Sequence, residues 1–358
     1  MKRKFWAIGL TMVTALSLAG CGGGGGEADT SVSGSSGGDS DITVGRVVFD
    51  LSHPYQQADS AFSEATAKEL GINYVAIDGE SDAETQANGM TDFVSQGVDG
   101  IIVQPLDSAA IQPSVDEALA AGIPVVSFYQ APEDHNVPVV MIDEKTSSFE
   151  LGALAAEKWT EWYPDQPIKI AIIDQPDVAF VVENRSDAFI EGVQSVAPDA
   201  EVVARLDGKG VRDTSMTAGD DLLQSHPEAN IILGVNSDSA LGALAAYEAA
   251  GRGKAEDGVP VSELFVSIDG TEPELIKIFD PASSLKMTMA LSAKSNGTAL
   301  IETMKQVIDG EIPMDEETVV TTQNKILDYY NMTVEDGQAF LEEEMNSTID
   351  LKEEIGLE

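Results

Sequence analysis

The chain has 358 residues, with 62 Asp and Glu against 20 Lys and Arg, and a formal net charge of −42. That balance excludes a nucleic-acid binder, because phosphate affinity comes from Lys and Arg, and it excludes a polybasic membrane-surface protein. A hydrophobic content of 43 % is enough for a core, and the length suits about two domains. One cysteine and three histidines leave no intrachain disulfide and no multi-cysteine or histidine-rich metal site.

Lys2, Arg3 and Lys4 precede an apolar stretch over residues 5–18. The stretch is shorter than a transmembrane span of ~20 residues and suits the apolar segment of a secretory signal. Leu18-Ala19-Gly20-Cys21 follows and resembles the lipobox of bacterial-type lipoproteins, in which the cysteine becomes the lipidated N-terminus. A plain signal peptide with an incidental cysteine is the alternative. Residues 1–20 are therefore expected to be a lipoprotein signal peptide. Residues 21–41, rich in Gly and Ser, are expected to be a flexible tether. The body then lies outside the cytoplasm, in the periplasm or at the cell surface. Acidity in such a protein suggests a high-salt habitat, where screening blunts self-repulsion.

Beyond Asp41, strand-like and helix-like segments alternate. Residues 43–50 form a β-branched run. Residues 54–70 place Ala58, Ala61, Phe62, Ala65 and Leu70 at helical spacing, with Pro54 in the first turn and Gly71 as the stop. A strand at 72–77 precedes a helix whose apolar face is Ala83, Ala87, Met90 and Val94. A short buried strand at 100–103 leads to a helix capped by Asp107 or Ser108 and running to Ala121. Strands follow at 123–128 and 137–142. In the second half, helices are expected at 147–162, 179–196, 214–224, 237–250, 271–279 and 293–308. Strands are expected at 168–173, 201–205, 230–234, 264–268, 285–290 and 319–322. Residues 328–358 read as a peripheral acidic helix and a loose end. Continuous apolar strands between amphipathic helices mean parallel sheets covered on both faces. At least ten strands exceed one comfortable sheet. The fold class is therefore α/β, with two doubly wound lobes.

In open parallel sheets, ligands bind beyond the carboxyl ends of the strands. There the sequence places Asp50, Ser52, His53 and Tyr55, then Gln104-Pro105, Tyr129-Gln130, Asp174-Gln175, Asn236-Ser237-Asp238 and Asp269-Gly270. Such side chains pair with vicinal hydroxyls, and aromatic faces pack on the apolar face of a sugar ring. The set has the makeup of a sugar or polyol site. Polar residues at strand ends also cap helices. Capping is the better reading for Asp107 and Ser237, and Asp174 suits either role.

From about residue 43 to 322 the chain resembles the periplasmic sugar-binding proteins of the ribose/galactose type, which serve ABC transporters. The resembling segments are LSHPY (51–55), GIIVQPLDS (100–108), AGIPVV (121–126), NRSDAF (184–189), NSDSALGA (236–243) and SIDGT (267–271), in that order. The resemblance implies a type I periplasmic binding protein fold, whose two lobes are joined by three crossovers and close like a hinge. One lobe would hold 42–144 plus 292–320, and the other 145–291 plus 321–358. The resemblance also implies that Tyr55 stacks on the ligand and that His53, Gln104, Arg185, Asn236 and Asp269 hydrogen-bond it.

The chain departs from the family pattern in three places. Tyr129-Gln130 stands where ribose binders carry Asp-Arg, and Leu291 where many members place Gln. Near Gly208 and Gly210 the phenylalanine that members often carry is not evident. Tyr129 and Gln130 are counted with the site, which is expected to be less polar than a ribose pocket. An inositol-like polyol, a deoxy or methylated sugar, or a larger sugar would suit it.

The function implied is a solute-binding lipoprotein that is not an enzyme, uses no cofactor or metal, and acts as a monomer. It would deliver its sugar or polyol to an ABC permease while a lipidated Cys21 holds it to the membrane. A sensory module presenting the ligand to a membrane receptor is the alternative. No Gly-Xaa-Gly-Xaa-Xaa-Gly follows a strand and no P-loop is present, so nucleotide binding has no support. His135 and His226 read as surface residues, and no Gly-Xaa-Ser-Xaa-Gly accompanies His53. Trp159 and Trp162 read as packing residues.

Overall fold

The computed structural model describes residues 42–322 and 324–357. The expected signal peptide, Cys21 and the tether lie outside them. The chain opens with β1 (Ile42–Val48), α1 (Pro54–Glu69), β2 (Ile72–Asp78), α2 (Ala83–Gln96), β3 (Gly100–Val103), α3 (Ser108–Ala120), β4 (Val125–Phe128) and β5 (Val139–Ile142). It continues through α4 (Glu144–Trp162), β6 (Lys169–Asp174), α5 (Ala179–Val181), a π-helical turn (Val182–Asp187), α6 (Ala188–Val196), β7 (Glu201–Asp207), α7 (Arg212–Ser225), β8 (Ile231–Gly234) and α8 (Ser237–Ala249). A small hairpin, β9 (Ala255–Glu256) and β10 (Val259–Pro260), precedes β11 (Leu264–Asp269), α9 (Glu272–Phe279) and β12 (Leu285–Leu291). Then come α10 (Ala293–Ile308), β13 (Val319–Thr322), β14 (Asn324–Asp328), α11 (Val334–Glu344) and α12 (Leu351–Glu354).

Two six-stranded sheets result. One has the order β13-β5-β4-β3-β1-β2 and is parallel throughout. The other has the order β14-β12-β11-β8-β6-β7 and is parallel except for β14. The chain passes between the sheets after β5, after β12 and after β13. The short strands β3, β4 and β8 are buried at every residue, as strands covered by helices on both faces must be. No helix of the described residues is long and apolar enough to cross a membrane.

The face that α1 buries is not the apolar one expected. Tyr55, Gln56, Asp59, Ser63 and Ala67 are buried, whereas Ala61, Ala65 and Leu70 are exposed. The cause lies in β1, where Arg46 is 1 % exposed. Its guanidinium pairs with Asp59 and donates to Ser63 Oγ at 2.7 Å. A buried charge requires a partner, so α1 turns a polar stripe inward. Ser63 Oγ in turn donates to Gly297 O of α10 at 3.1 Å. In α2 the buried stripe is Gln86, Gly89, Met90 and Phe93, so only Met90 of the four expected residues is fully buried. Phe93 fills the space over Gly45, where a Cβ would collide with its ring.

Helices α4 and α6 pack almost backbone to backbone, because a Cβ at Gly152 or Gly192 would run into the Phe189 or Phe149 carbonyl. That close packing anchors the π-helical turn in front of α6, a break the expected single helix over 179–196 did not include. Strands β9, β10 and β14 were also unexpected. The C-terminal segment is no loose end. Phe340, Leu341 and Leu351 are buried, and Gly337 sits against the Phe279 ring of α9. Asp107 caps α3, accepting from Ala109 N and Ala110 N at 2.8 Å. Trp159 packs on Tyr163 and Trp162 on Tyr330.

Candidate functional site

The loops leaving β1, β3, β4, β6, β8 and β11 meet around one cleft of about 680 Å³, its open mouth included. The structure brings together in its lining all eight residues singled out above, His53, Tyr55, Gln104, Tyr129, Gln130, Arg185, Asn236 and Asp269. Phe49, Gln56, Gln175 and Phe180 join them.

On the first-lobe side, His53 occupies the N-cap position of α1 with extended backbone, and Pro54 opens the helix. The His53 ring lies between two carboxylates. Asp50 Oδ2 of its own lobe is 3.9 Å from Nε2, and Asp238 Oδ2 of the other lobe is 3.5 Å from Nδ1. Burial disfavours the imidazolium, but Asp238, Asp50 and Asp269 outweigh it and raise the pKa above the usual 6.5. Burial also works against the Asp238 carboxylate, yet His53 and Arg212 hold its pKa below the ordinary value. Arg212 Nε donates to Asp238 Oδ1 at 2.8 Å.

Tyr55 is buried, and its hydroxyl accepts from Asn296 Nδ2 of α10. Gln104 Oε1 accepts from Gln56 Nε2 at 3.0 Å, and Gln130 Nε2 donates to Pro105 O at 2.6 Å. Tyr129 has φ +65°, a left-handed conformation that is uncommon for a residue with a side chain. Its N–H donates to Val140 O at 2.9 Å. Its ring packs on Phe128 at 4.3 Å and meets Phe180 of the second lobe edge-on at 5.7 Å. Strain of this kind collects at ligand sites, where the surrounding packing enforces it.

On the second-lobe side, Arg185 projects from the π-helical turn. Its Nε and Nη2 donate to the Glu144 carboxylate at 2.8 and 2.7 Å, and Nη1 donates to Val235 O at 2.8 Å. Asp269 Oδ1 is 3.8 Å from Nη1. Burial disfavours the guanidinium charge, but Glu144 outweighs it and raises the pKa further, so Arg185 stays charged. Asp269 has φ +117°, and its Oδ2 accepts from Ser237 N at 3.1 Å. Burial pushes the Asp269 carboxyl up to about 6, against the pull of Arg185 and the Ser237 N–H.

Capping of α8 falls to Asn236 rather than Ser237. Asn236 Oδ1 accepts from Ser239 N at 2.8 Å and Nδ2 donates to Gly210 O at 3.0 Å. Ser237 Oγ bonds Thr271 Oγ1 instead. Asp174 accepts from Ser186 Oγ and Gln175 N, which ties the last residues of the π-helical turn to the end of β6. The aromatic of the second lobe is Phe180, on α5 rather than beyond β7.

Sequence reasoning missed four contributors. Phe49 read as part of a strand, and Phe180 as part of the helix expected over 179–196. Gln56 was passed over beside Tyr55. Glu144, buried at the first turn of α4, carries no local signal, because only the fold puts it beside Arg185. Among the described residues, no group of three or more His, Cys, Asp or Glu is arranged to hold a metal ion.

Two α/β lobes whose strand ends converge on one polar and aromatic cleft define a small-solute receptor. The chain belongs to the periplasmic binding protein domain family, which it matches over residues 44–312. It is 26 % identical over 278 residues to the ribose import binding protein of Bacillus subtilis, across 77 % of this chain and 85 % of that protein. It is 27 % identical over 342 residues to the xylitol-binding protein of Mycolicibacterium smegmatis, across 91 % of each. A solved galactofuranose-binding protein superposes with a TM-score of 0.72 at 20 % identity, over 85 % of this chain and 99 % of that one. The family consists of extracytoplasmic solute-binding proteins, not enzymes.

Proposed function

We propose that the protein captures a neutral sugar or polyol between its lobes and delivers it to the permease of an ABC importer. The observation that carries this reading is the convergence of amide, carboxylate, guanidinium and aromatic side chains from six strand ends of two sheets on one cleft. Two pairs bridge the lobes, His53 with Asp238 and Tyr129 with Phe180. Each cation there already faces a carboxylate, Arg185 on Glu144 and His53 on Asp238. Among the described residues, no unmatched positive charge of the cleft therefore awaits a sugar acid or phosphate. Tyr129 and Gln130 make a less polar wall than the Asp-Arg of ribose binders, which suits an inositol-like polyol, a deoxy or methylated sugar, or a larger sugar. The named relatives bind ribose, xylitol and galactofuranose, and an import role stands in the name of the first, which favours delivery over sensing. Ligand drives closure only through its higher affinity for the closed state. The lipobox-like segment adds a lipid anchor at Cys21 to this reading.

A thermal-shift screen of the chain after Cys21 tests it, with sugars and polyols against amino acids and nucleosides, in low and high salt. Ligand at about 100 times its dissociation constant adds about 2.7 kcal/mol of stability. A higher melting temperature with a sugar or polyol supports the reading. A rise with amino acids or nucleosides alone overturns the ligand class.

A further inference from the structure

One buried polar atom in the cleft has no partner. Gln56 is 7 % exposed, lies in the first turn of α1, and lines the cleft beside Gln104. Its Nε2 donates to Gln104 Oε1 at 3.0 Å, but its own Oε1 is buried without a donor. Of the buried side-chain atoms left unpartnered among the described residues, this is the only one on a cleft-lining residue. An orphaned buried acceptor is rare and destabilising, and it asks for an explanation.

The neighbouring groups supply one. Gln104 gives its oxygen to Gln56, so its Nε2 has two hydrogens to donate and no protein partner among the described residues. Gln86 fixes the Gln104 backbone, donating Nε2 to Gln104 O at 2.9 Å and accepting from Leu106 N at 2.9 Å. The first-lobe wall thus holds an unpaired acceptor, shielded from water in this conformation, beside an unpaired donor, on a braced support. Both amides are uncharged. An anionic oxygen has no hydrogen to give to Gln56 Oε1, whereas a hydroxyl does.

We infer that Gln56 Oε1 accepts from one ligand hydroxyl while Gln104 Nε2 donates to its neighbour, so that this wall selects a neutral vicinal diol. The inference rests on the functional reading above and adds the residue and the hydroxyl pattern that set its specificity. Gln56 then acts in recognition, whereas a residue that merely braced Gln104 would act in stability.

Isothermal titration of the parent and of Gln56→Met with D-ribose, D-galactose, xylitol and myo-inositol tests it, followed by the mono-deoxy analogues of whichever binds. The parent should bind one of the four and discriminate about tenfold against at least one mono-deoxy analogue. Gln56→Met should bind about tenfold more weakly and lose that discrimination, as expected for one hydrogen bond to a buried acceptor. Its ligand-free melting temperature should stay about level, because the orphaned oxygen is gone while Gln104 Oε1 loses its donor. If the parent binds and Gln56→Met binds equally well, this inference alone fails. It also fails if Gln56→Met melts lower and weakens the parent ligand and its deoxy analogues alike, the mark of a brace. A sugar or polyol hit from the thermal-shift panel takes the place of the four where none of them binds; if the parent binds no sugar or polyol of either set, the functional reading fails and takes the inference with it.

Discussion

Replacing Glu144 by Gln tests whether a buried charge holds Arg185 in the cleft. The Glu144 side chain is fully shielded from water, and two of the three close hydrogen bonds of Arg185 end on it. Gln keeps one acceptor, but its NH₂ group faces the second guanidinium N–H. Removing the charge of one partner from a buried pair costs about 3–5 kcal/mol, since the guanidinium cannot shed its proton. Asp269, 3.8 Å away, recovers part of this by moving closer. The expected net loss is about 3 kcal/mol, read as a fall of roughly 5–10 °C in a calorimetric melt. The affinity for the bound sugar or polyol should fall at least tenfold as Arg185 realigns, a change of about 1.4 kcal/mol. The double variant Glu144→Gln/Arg185→Met should regain most of the stability and none of the affinity, because it removes the stranded charge. A single variant that melts within 1 °C of the parent, or a double variant no more stable than the single, would refute the reasoning; the 1 °C threshold is about 0.5 kcal/mol or less.

Further predictions concern pH and capping. Burial pushes Asp269 up to about 6 and, with the Asp269 charge adding to it, Glu274 up to about 7. Both values lie above the unfolded ones, so their contribution to stability is full below about pH 4 and is lost as pH rises through 6 to 7. Melting curves across that window should fall for the parent and flatten in Asp269→Asn/Glu274→Gln, and an unchanged slope in the variant would contradict the assignment. The raised pKa of His53 makes its bridge to Asp238 strongest below the ordinary value of 6.5 and weaker as pH climbs above it. Ligand affinity should therefore drop as pH rises above 6.5 in the parent and drop less in His53→Asn, where Asp269 still titrates, as titration calorimetry would report. Asn236→Ala should lose about 1 kcal/mol of stability with the cap of α8. Asn236→Asp, which keeps the acceptor for Ser239 N, should lose less in a chemical denaturation series, and equal losses would argue against the capping role.

The α/β class, the alternation of elements and the strand ends from which a site would be built were legible in the sequence. Those features rest on local signals, namely apolar runs of four to seven residues, 3.6-residue periodicity and glycine stops. Parallel topology then confines a ligand to the carboxyl ends. The buried face of α1 was not legible, because its cause is Arg46 on a different element. Nor was β14, whose sequence NKILD carries little apolar signal and becomes a strand by pairing with the edge of β12.

At the cleft, the polar and aromatic side chains that stand at the strand ends follow from the order of residues along the chain. Which of their atoms remain free depends on partners that the fold brings in from elsewhere. Asn236 is engaged in capping, Arg185 is pinned by Glu144 from across a crossover, and Gln56 keeps an unpaired oxygen. Hydrogen bonds are made between residues far apart in the chain, so what a side chain has left to offer a ligand is settled only once every partner is in place.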